Sequence, residues 1–284
     1  MKLKTLIAAG LIALFSAVSV QAKELTQQKS KTEGGYNFWL QTPDDTKTKK
    51  PVVIFLHGRS LCGNDLNKVK NYGTIDAIQK GREIDAYVIA PQNPGGSWKP
   101  EKVMEILEWV EKNHNVDTDR VYVLGMSLGG YGTMDFAAAY PDKVAAAVAM
   151  CGGTTSKHIS HLNQLPLWII HGTGDSSVSV SKSDNVVEKM KESDPKTKRL
   201  SYSRIPGMNH SQPARFFYLP EMYEWLFKHN LKEKGRPIHP TFDVASKMSS
   251  AYKGLDFSGS KKSKSKSSSK KSSDKTKSVK KKKK

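Results

Sequence analysis

The stretch "VYVLGMSLGGYG" runs from Val121 to Gly132. Its first half is β-branched and apolar, as a buried strand requires. It then sets Ser127 between Gly125 and Gly129 and continues into residues that suit a helix. Two readings compete. Ser127 is a nucleophile held on a strained strand-to-helix turn, or it belongs to an ordinary glycine-rich bend. The G-x-S-x-G pattern does not choose by itself; partners elsewhere in the chain must.

From residue 36 to residue 228 the chain alternates short apolar runs with amphipathic segments. "YNFWLQTP" (Tyr36–Pro43) is expected to be an edge strand. "PVVIFLHG" (Pro51–Gly58) is almost wholly apolar, the pattern of a central parallel strand covered on both faces. "AYVIAPQ" (Ala86–Gln92) is another strand. In "EKVMEILEWVEKN", Val103, Ile106, Leu107 and Val110 share one helical face, and Pro100 stands ahead of it. The strand "RVYVLG", a helix from Leu128 to Tyr140, the strands "VAAAVAM" and "PLWIIHG", the helix "SKSDNVVEKMKES", the strand "RLSYSRIPG" and the helix "PEMYEWLFKHN" complete the series. This alternation specifies an α/β fold, a mostly parallel sheet with helices on both faces. There is no internal repeat. Lys232–Phe257, interrupted by Pro and Gly, is expected to be a surface extension.

In such sheets ligands bind beyond the carboxyl ends of the strands. Catalytic residues should therefore fall just after strands, and three do. Ser127 follows "RVYVLGM", Asp175 follows "PLWIIHGTG" and His210 follows "RLSYSRIPGMN". The chain order Ser, Asp, His is that of the α/β-hydrolase fold. A serine hydroxyl is a weak nucleophile until a base takes its proton. An imidazole titrates near neutrality and can accept that proton, then return it to a leaving group. A carboxylate holds the imidazole in the right tautomer. The main-chain N–H groups of Leu128 and Arg59 are the expected oxyanion donors, the first aided by the helix dipole. The alternative for Asp175 is a helix N-cap, and for His210 a plain loop residue. His57 and His171, at strand ends, are expected to satisfy local backbone hydrogen bonds. His114, His158 and His161 fall at helix ends or in loops. Asp184 and Asp194 lie in or after a helix, too far along to replace Asp175.

No metal or cofactor is expected. There is no HExxH and no cysteine pair at zinc spacing. Asp117 and Asp119 lack the glycine and distal Glu of a calcium loop and should form a turn. "PQNPGG" is not followed by a Walker-type lysine helix.

Residues 1–22 have a lysine-bearing start, an apolar run from Thr5 to Val20 and the small-residue ending "VQA". This is expected to be a signal peptide cleaved after Ala22, the alternative being an uncleaved anchor. No later stretch is long and apolar enough for a membrane span. The expected location is periplasmic or secreted. The formal charge of +19 is unevenly spread. Thirteen lysines and one aspartate from Lys261 to Lys284 contribute +12, Lys2 and Lys4 another +2, leaving +5 for 23–260. The domain expected over 23–257 is thus unexceptional in charge. The segment 258–284, nearly pure Lys and Ser, cannot bury enough to offset its ordering entropy and should be disordered. It suits contact with anionic envelope components. With no interleaved aromatics, specific nucleic-acid binding is not expected. Cys62 and Cys151 are too few for a disulfide framework; they pair with each other or remain separate thiols.

The motifs "FLHG", "VIAPQNPGGSW", "DTDRVYVLGMSLGGYGTMDFAAAYPDKVAAAVAMCGG", "PLWIIHGTGDSSV" and "PGMNHS" resemble those of exported α/β hydrolases of the predicted peptidase or phospholipase/carboxylesterase-like group, related to esterase D, feruloyl esterases and polyhydroxybutyrate depolymerases. The resemblance covers about Val52 to Phe227. It implies Ser127 as nucleophile, Asp175 as acid and His210 as base, with little or no cap domain. It implies a serine hydrolase of carboxylic esters, acting on small molecules or on acyl, acetyl or feruloyl groups of polysaccharide. A serine peptidase or lysophospholipase would use the same triad, and a non-catalytic binding protein could keep the fold. Trp98 matches a family Trp after the "APQ" strand, where it lines the pocket or packs against the elbow. Gln212 stands at the expected rim. This chain departs from the group in having "SLCGND" after HG, where relatives carry Arg or Glu. It also lacks the aromatic that often follows the last His, having "SQPARFF" instead.

Overall fold

The computed structural model describes residues 24–258. The expected signal peptide and most of the Lys/Ser tail lie outside the described residues. The elements are β1 (Leu25–Gln28), β2 (Phe38–Gln41), β3 (Lys50–Leu56), α1 (Thr74–Gln79), β4 (Tyr87–Pro91), α2 (Pro100–Asn113), β5 (Val116–Met126), α3 (Leu128–Ala139), β6 (Ala146–Met150), β7 (Leu167–Gly172), α4 (Ser181–Ser193), β8 (Leu200–Ile205), α5 (Pro220–Phe227) and α6 (Val244–Lys247). Short 3-10 turns join several of them.

The strands form one eight-stranded sheet in the order β1-β2-β4-β3-β5-β6-β7-β8. Strands β3 to β8 pair in parallel, while β2 runs antiparallel to β4 and β1 antiparallel to β2. The segment expected at the edge is therefore the second strand, and β1 covers it. "LTQQ" has no apolar alternation, so β1 is held by its ladder to β2 rather than by a buried face. In β3 every residue from Pro51 to Leu56 is buried, and successive side chains go to opposite cores. Val52, Ile54 and Leu56 face the core shared with α2, α3 and α4; Val53 and Phe55 face that of α1, α5 and α6.

Helix α2 begins at Pro100, whose missing N–H costs nothing at that position. It buries the four residues whose spacing marked its inner face. Between Lys50↔Val116 and Val52↔Val121 the β3–β5 register slips, so Asp117–Arg120 form a bulge within β5. There Asp117 pairs with Arg120 at 2.7 Å. The expected turn at these acids is thus an irregularity inside a longer strand.

The segment expected as a surface extension is packed instead. Val244 and Ala251 are buried, and Ile238, Phe242, Met248 and Leu255 lie against the same core. Phe242 meets the buried Trp168 edge-on at 5.0 Å, and Trp225 Nε1 donates to the His239 carbonyl. The strap closes the outer layer of the sheet where α5 is too short to cover it.

Register places the strand ends in one row. Leu56 aligns with Gly125, Met126 with Met150, Met150 with Ile170, and Gly172 with Ile205. The loops after β3, β5, β6, β7 and β8 thus open on one edge. They carry Arg59, Ser127, Cys151, Asp175 and His210.

Candidate active site

Ser127 has φ 59° and ψ −122°, a conformation costly for a residue with a side chain. The turn is pinned on both sides: its N–H donates to the Met150 carbonyl at 2.9 Å and its carbonyl accepts from Tyr131 N–H at 3.0 Å. The flanking glycines are required by close approach. A Cβ on Gly125 would lie 2.4 Å from the Gly129 carbonyl oxygen, and one on Gly129 would lie 1.8 Å from that of Leu56. No side chain fits either place.

The structure brings Ser127, His210 and Asp175 together. His210 Nε2 is 3.0 Å from Ser127 Oγ, and Nδ1 is 2.6 Å from Asp175 Oδ2. The carboxylate beside Nδ1 selects the tautomer with its proton there, leaving Nε2 to accept from the serine. Asp175 Oδ1 accepts the N–H groups of Ser177 at 2.9 Å and Val178 at 2.8 Å. Burial pushes the Asp175 carboxyl up, but hydrogen bonds from Val178, His210 and Ser177 outweigh it and hold the group below the usual carboxylate range.

Leu128 opens α3, and the Gly58–Arg59 segment passes against the nucleophile; a Cβ on Gly58 would come 3.5 Å from Ser127 Cβ. Among the described residues neither the Leu128 nor the Arg59 main-chain N–H has an acceptor. A tyrosine from the following turn holds this loop. Tyr72 Oη accepts the Gly58 N–H at 2.8 Å, while its ring packs on Phe55 and Phe217. Nothing in "KNYGT" marks Tyr72 as different from any other loop tyrosine.

The cleft at Ser127 has a volume of about 390 Å³ and is lined by Arg59, Leu128, Tyr131, Ser177, Val178 and His210. Two sequence-expected pocket residues lie elsewhere. Trp98 is buried behind the elbow helix: its Nε1 donates to the His57 carbonyl at 3.2 Å, and a Cβ on Gly132 would strike its ring at 2.6 Å. It packs against the elbow, the second of its two readings. Gln212 turns back on its own loop, where its Oε1 accepts the Asn209 N–H at 2.7 Å and its amide donates to Met248 Sδ. It shapes the turn that carries His210. Tyr131, Ser177 and Val178 line the cleft without any sequence signal, because lining residues on a helix turn and a loop carry no periodic signature.

The other histidines and acids are engaged elsewhere. His57 Nδ1 bonds the Gly58 carbonyl and Nε2 accepts the Asn93 N–H. Asp184 takes Tyr202 and Arg204 at 2.6 and 3.1 Å. Cys62 and Cys151 are both free thiols. Cys151, Asp175 and His210 place potential metal ligands within 4.8 Å of one another. Two of the three are already committed to each other, and burial pushes the Cys151 thiol up, away from the thiolate a metal needs. Among the described residues no helix is long and apolar enough to cross a membrane.

Residues 90–213 match the Dienelactone hydrolase family. A poly(3-hydroxyalkanoate) depolymerase C from Paucimonas lemoignei is 26% identical over 166 residues, covering 52% of this chain and 39% of that protein. A bifunctional acetylxylan esterase/xylanase from Neocallimastix patriciarum is 24% identical over 163 residues, covering 54% of this chain and 23% of that protein. The chain thus spans well under half the length of these curated relatives. Among solved structures, a thermostable esterase superposes with a TM-score of 0.60 at 24% identity, covering 74% of this chain and 63% of that one. The sheet order, the strained serine between β5 and α3 and the likeness to solved structures give the chain the α/β-hydrolase fold.

Proposed function

We propose that the protein is a serine hydrolase that cleaves carboxylic esters through an acyl-enzyme. The observation that carries this is the Ser127–His210–Asp175 relay, with contacts of 3.0 and 2.6 Å. In the first step Ser127 Oγ attacks the ester carbonyl carbon while its proton passes to His210 Nε2. The carbonyl oxygen becomes an oxyanion facing the N–H groups of Leu128 and Arg59; each such donor stabilises the transition state by about 2.7–4 kcal/mol. Collapse breaks the ester C–O bond, and His210 returns the proton to the leaving alcohol. Water then attacks the acyl-enzyme with His210 again as base. Addition of its O–H across the acyl–Oγ bond releases the acid and restores Ser127. Asp175 stays ionised throughout, which its several hydrogen bonds favour.

The substrates we favour are acylated polysaccharides and small esters. Only residues 151–166 separate β6 from β7, so no long insertion lies between these strands. Relatives named acetylxylan esterase and poly(3-hydroxyalkanoate) depolymerase act, by those names, on polymer esters. The leader and lysine-rich tail fit a periplasmic or secreted enzyme that contacts anionic envelope components.

A panel of short and long acyl p-nitrophenyl esters, a feruloyl ester, acetylated xylan, a lysophospholipid and dipeptide amides tests the proposal. The expected result is that esters with short acyl groups and acetylated xylan turn over faster than any amide. Faster amide cleavage would overturn it.

A further inference from the structure

His171 is the penultimate residue of β7, is completely buried, and takes no direct part in the relay just described. Both of its ring nitrogens face polar groups. Nε2 lies 2.9 Å from the Val178 carbonyl oxygen and 3.3 Å from Asp175 Oδ2, the oxygen that also receives His210. Nδ1 lies 2.8 Å from Ser183 Oγ, which is also 2.9 Å from the Gly152 carbonyl.

The two neighbours of Nε2 are acceptors only, so Nε2 must carry a proton. Ser183 has one hydroxyl proton and two acceptors within reach, Nδ1 and the Gly152 carbonyl. Burial disfavours the doubly protonated ring, although the Val178 carbonyl and Asp175 pull the other way. In the neutral ring, Nε2–H is shared between Val178 and Asp175, and the single Ser183 proton is shared between Nδ1 and the Gly152 carbonyl.

We infer that His171 is a positioning residue for the triad acid. Its Nε2–H meets Asp175 Oδ2, the oxygen that His210 also meets, and bonds the Val178 carbonyl of the Asp175–Val178 turn. Val178 is the hinge of this clamp: its N–H binds Asp175 Oδ1 and its carbonyl binds His171. The carboxylate is thus contacted at both oxygens. Through Ser183 the clamp also reaches Gly152, whose Cα region packs against Gly130 of α3. It therefore ties the acid's turn to the helix that carries the nucleophile. A shift of about 1 Å in a catalytic group typically costs on the order of 100-fold in rate.

The inference rests on the proposed triad, and two substitutions of His171 separate it from a packing role. Gln reaches as far as Nε2 and returns a donor to Asp175 and Val178. Asn reaches only as far as Nδ1, so it can meet Ser183 but not Asp175. With p-nitrophenyl acetate, His171→Asn should lose about 10- to 100-fold in kcat with KM within about twofold, and His171→Gln should retain most of the wild-type kcat. Proton NMR provides a readout that needs no turnover. The low-field resonance of the proton between His210 and Asp175 should shift or broaden in the Asn variant and stay in place in the Gln variant. Equal kcat and equal resonances in the two variants, or a Gln variant as impaired as the Asn one, would overturn the inference. If instead Ser127→Ala turned over ester like the wild type, the triad reading would fail, whatever the NMR of the His171 variants showed.

Discussion

Asp175 Oδ2 stands 2.6 Å from His210 Nδ1, and Asp175 Oδ1 is held separately by two backbone N–H groups. The division of labour between the two oxygens makes a specific expectation. In Asp175→Asn the side-chain oxygen can keep the two backbone bonds, so the turn should persist. The amide then faces His210 and imposes the wrong tautomer. Turnover of p-nitrophenyl acetate should fall about 10³- to 10⁴-fold while the variant remains folded. A variant within tenfold of wild type in kcat would remove Asp175 from the mechanism.

The glycine of the elbow gives a stability prediction. A Cβ at Gly129 would sit 1.8 Å from a backbone oxygen, which no rotamer change relieves. Gly129→Ala should destabilise by about 3 kcal/mol or more, read by urea denaturation. Gly81 is the contrast, with φ +101° but open space around its Cα. There alanine meets only backbone strain, about 1–2 kcal/mol.

Much of this arrangement is legible in the residues themselves. The near-continuous apolar run of β3, the one-sided helix α2 and the serine, acid and histidine after β5, β7 and β8 all carry local patterns, and those patterns survive into the fold. What stays hidden has a common physical cause. Strand β1 is stabilised by ladder hydrogen bonds that "LTQQ" does not advertise. The 232–257 strap buries scattered apolar residues with neither a helical nor a strand period. Trp98 and Gln212 are side chains whose direction depends on partners distant in sequence. His171 is expected to make local backbone bonds and does bond the Val178 carbonyl; that it also reaches Asp175 follows only from the turn at Gly174.

Trp98 yields a prediction that distinguishes packing from pocket lining. Its ring fills the space over Gly132 and its Nε1 supports the His57 carbonyl, so Trp98→Ala should cost about 3–5 kcal/mol in stability. Its acyl-chain preference across the p-nitrophenyl ester series should match that of the wild type. A changed chain-length optimum in a well-folded variant would place Trp98 in the pocket after all.

Two buried histidines, His57 and His229, contribute to the acid stability. His57 and His229 each donate from Nδ1 to a carbonyl and accept a backbone N–H at Nε2, so protonation would break a bond as well as bury a charge. Burial pulls both imidazoles down from 6.5 to about 4 in the folded protein. Between those values the unfolded chain binds more protons than the folded one. The stability present at pH 7 is therefore lost as pH falls from about 6.5 toward 4, on the order of 3 kcal/mol for each residue. Urea midpoints measured across that range should fall steeply, and His229→Gln should flatten the slope. A slope unchanged by that substitution would contradict the assignment.

The central claim is that Ser127 is the nucleophile, and covalent labelling tests it most directly. A fluorophosphonate probe should label the wild-type protein, and peptide mass spectrometry should place the adduct on Ser127. Ser127→Ala should remain unlabelled while keeping the wild-type melting temperature. Labelling of the alanine variant equal to that of the wild type would contradict the account.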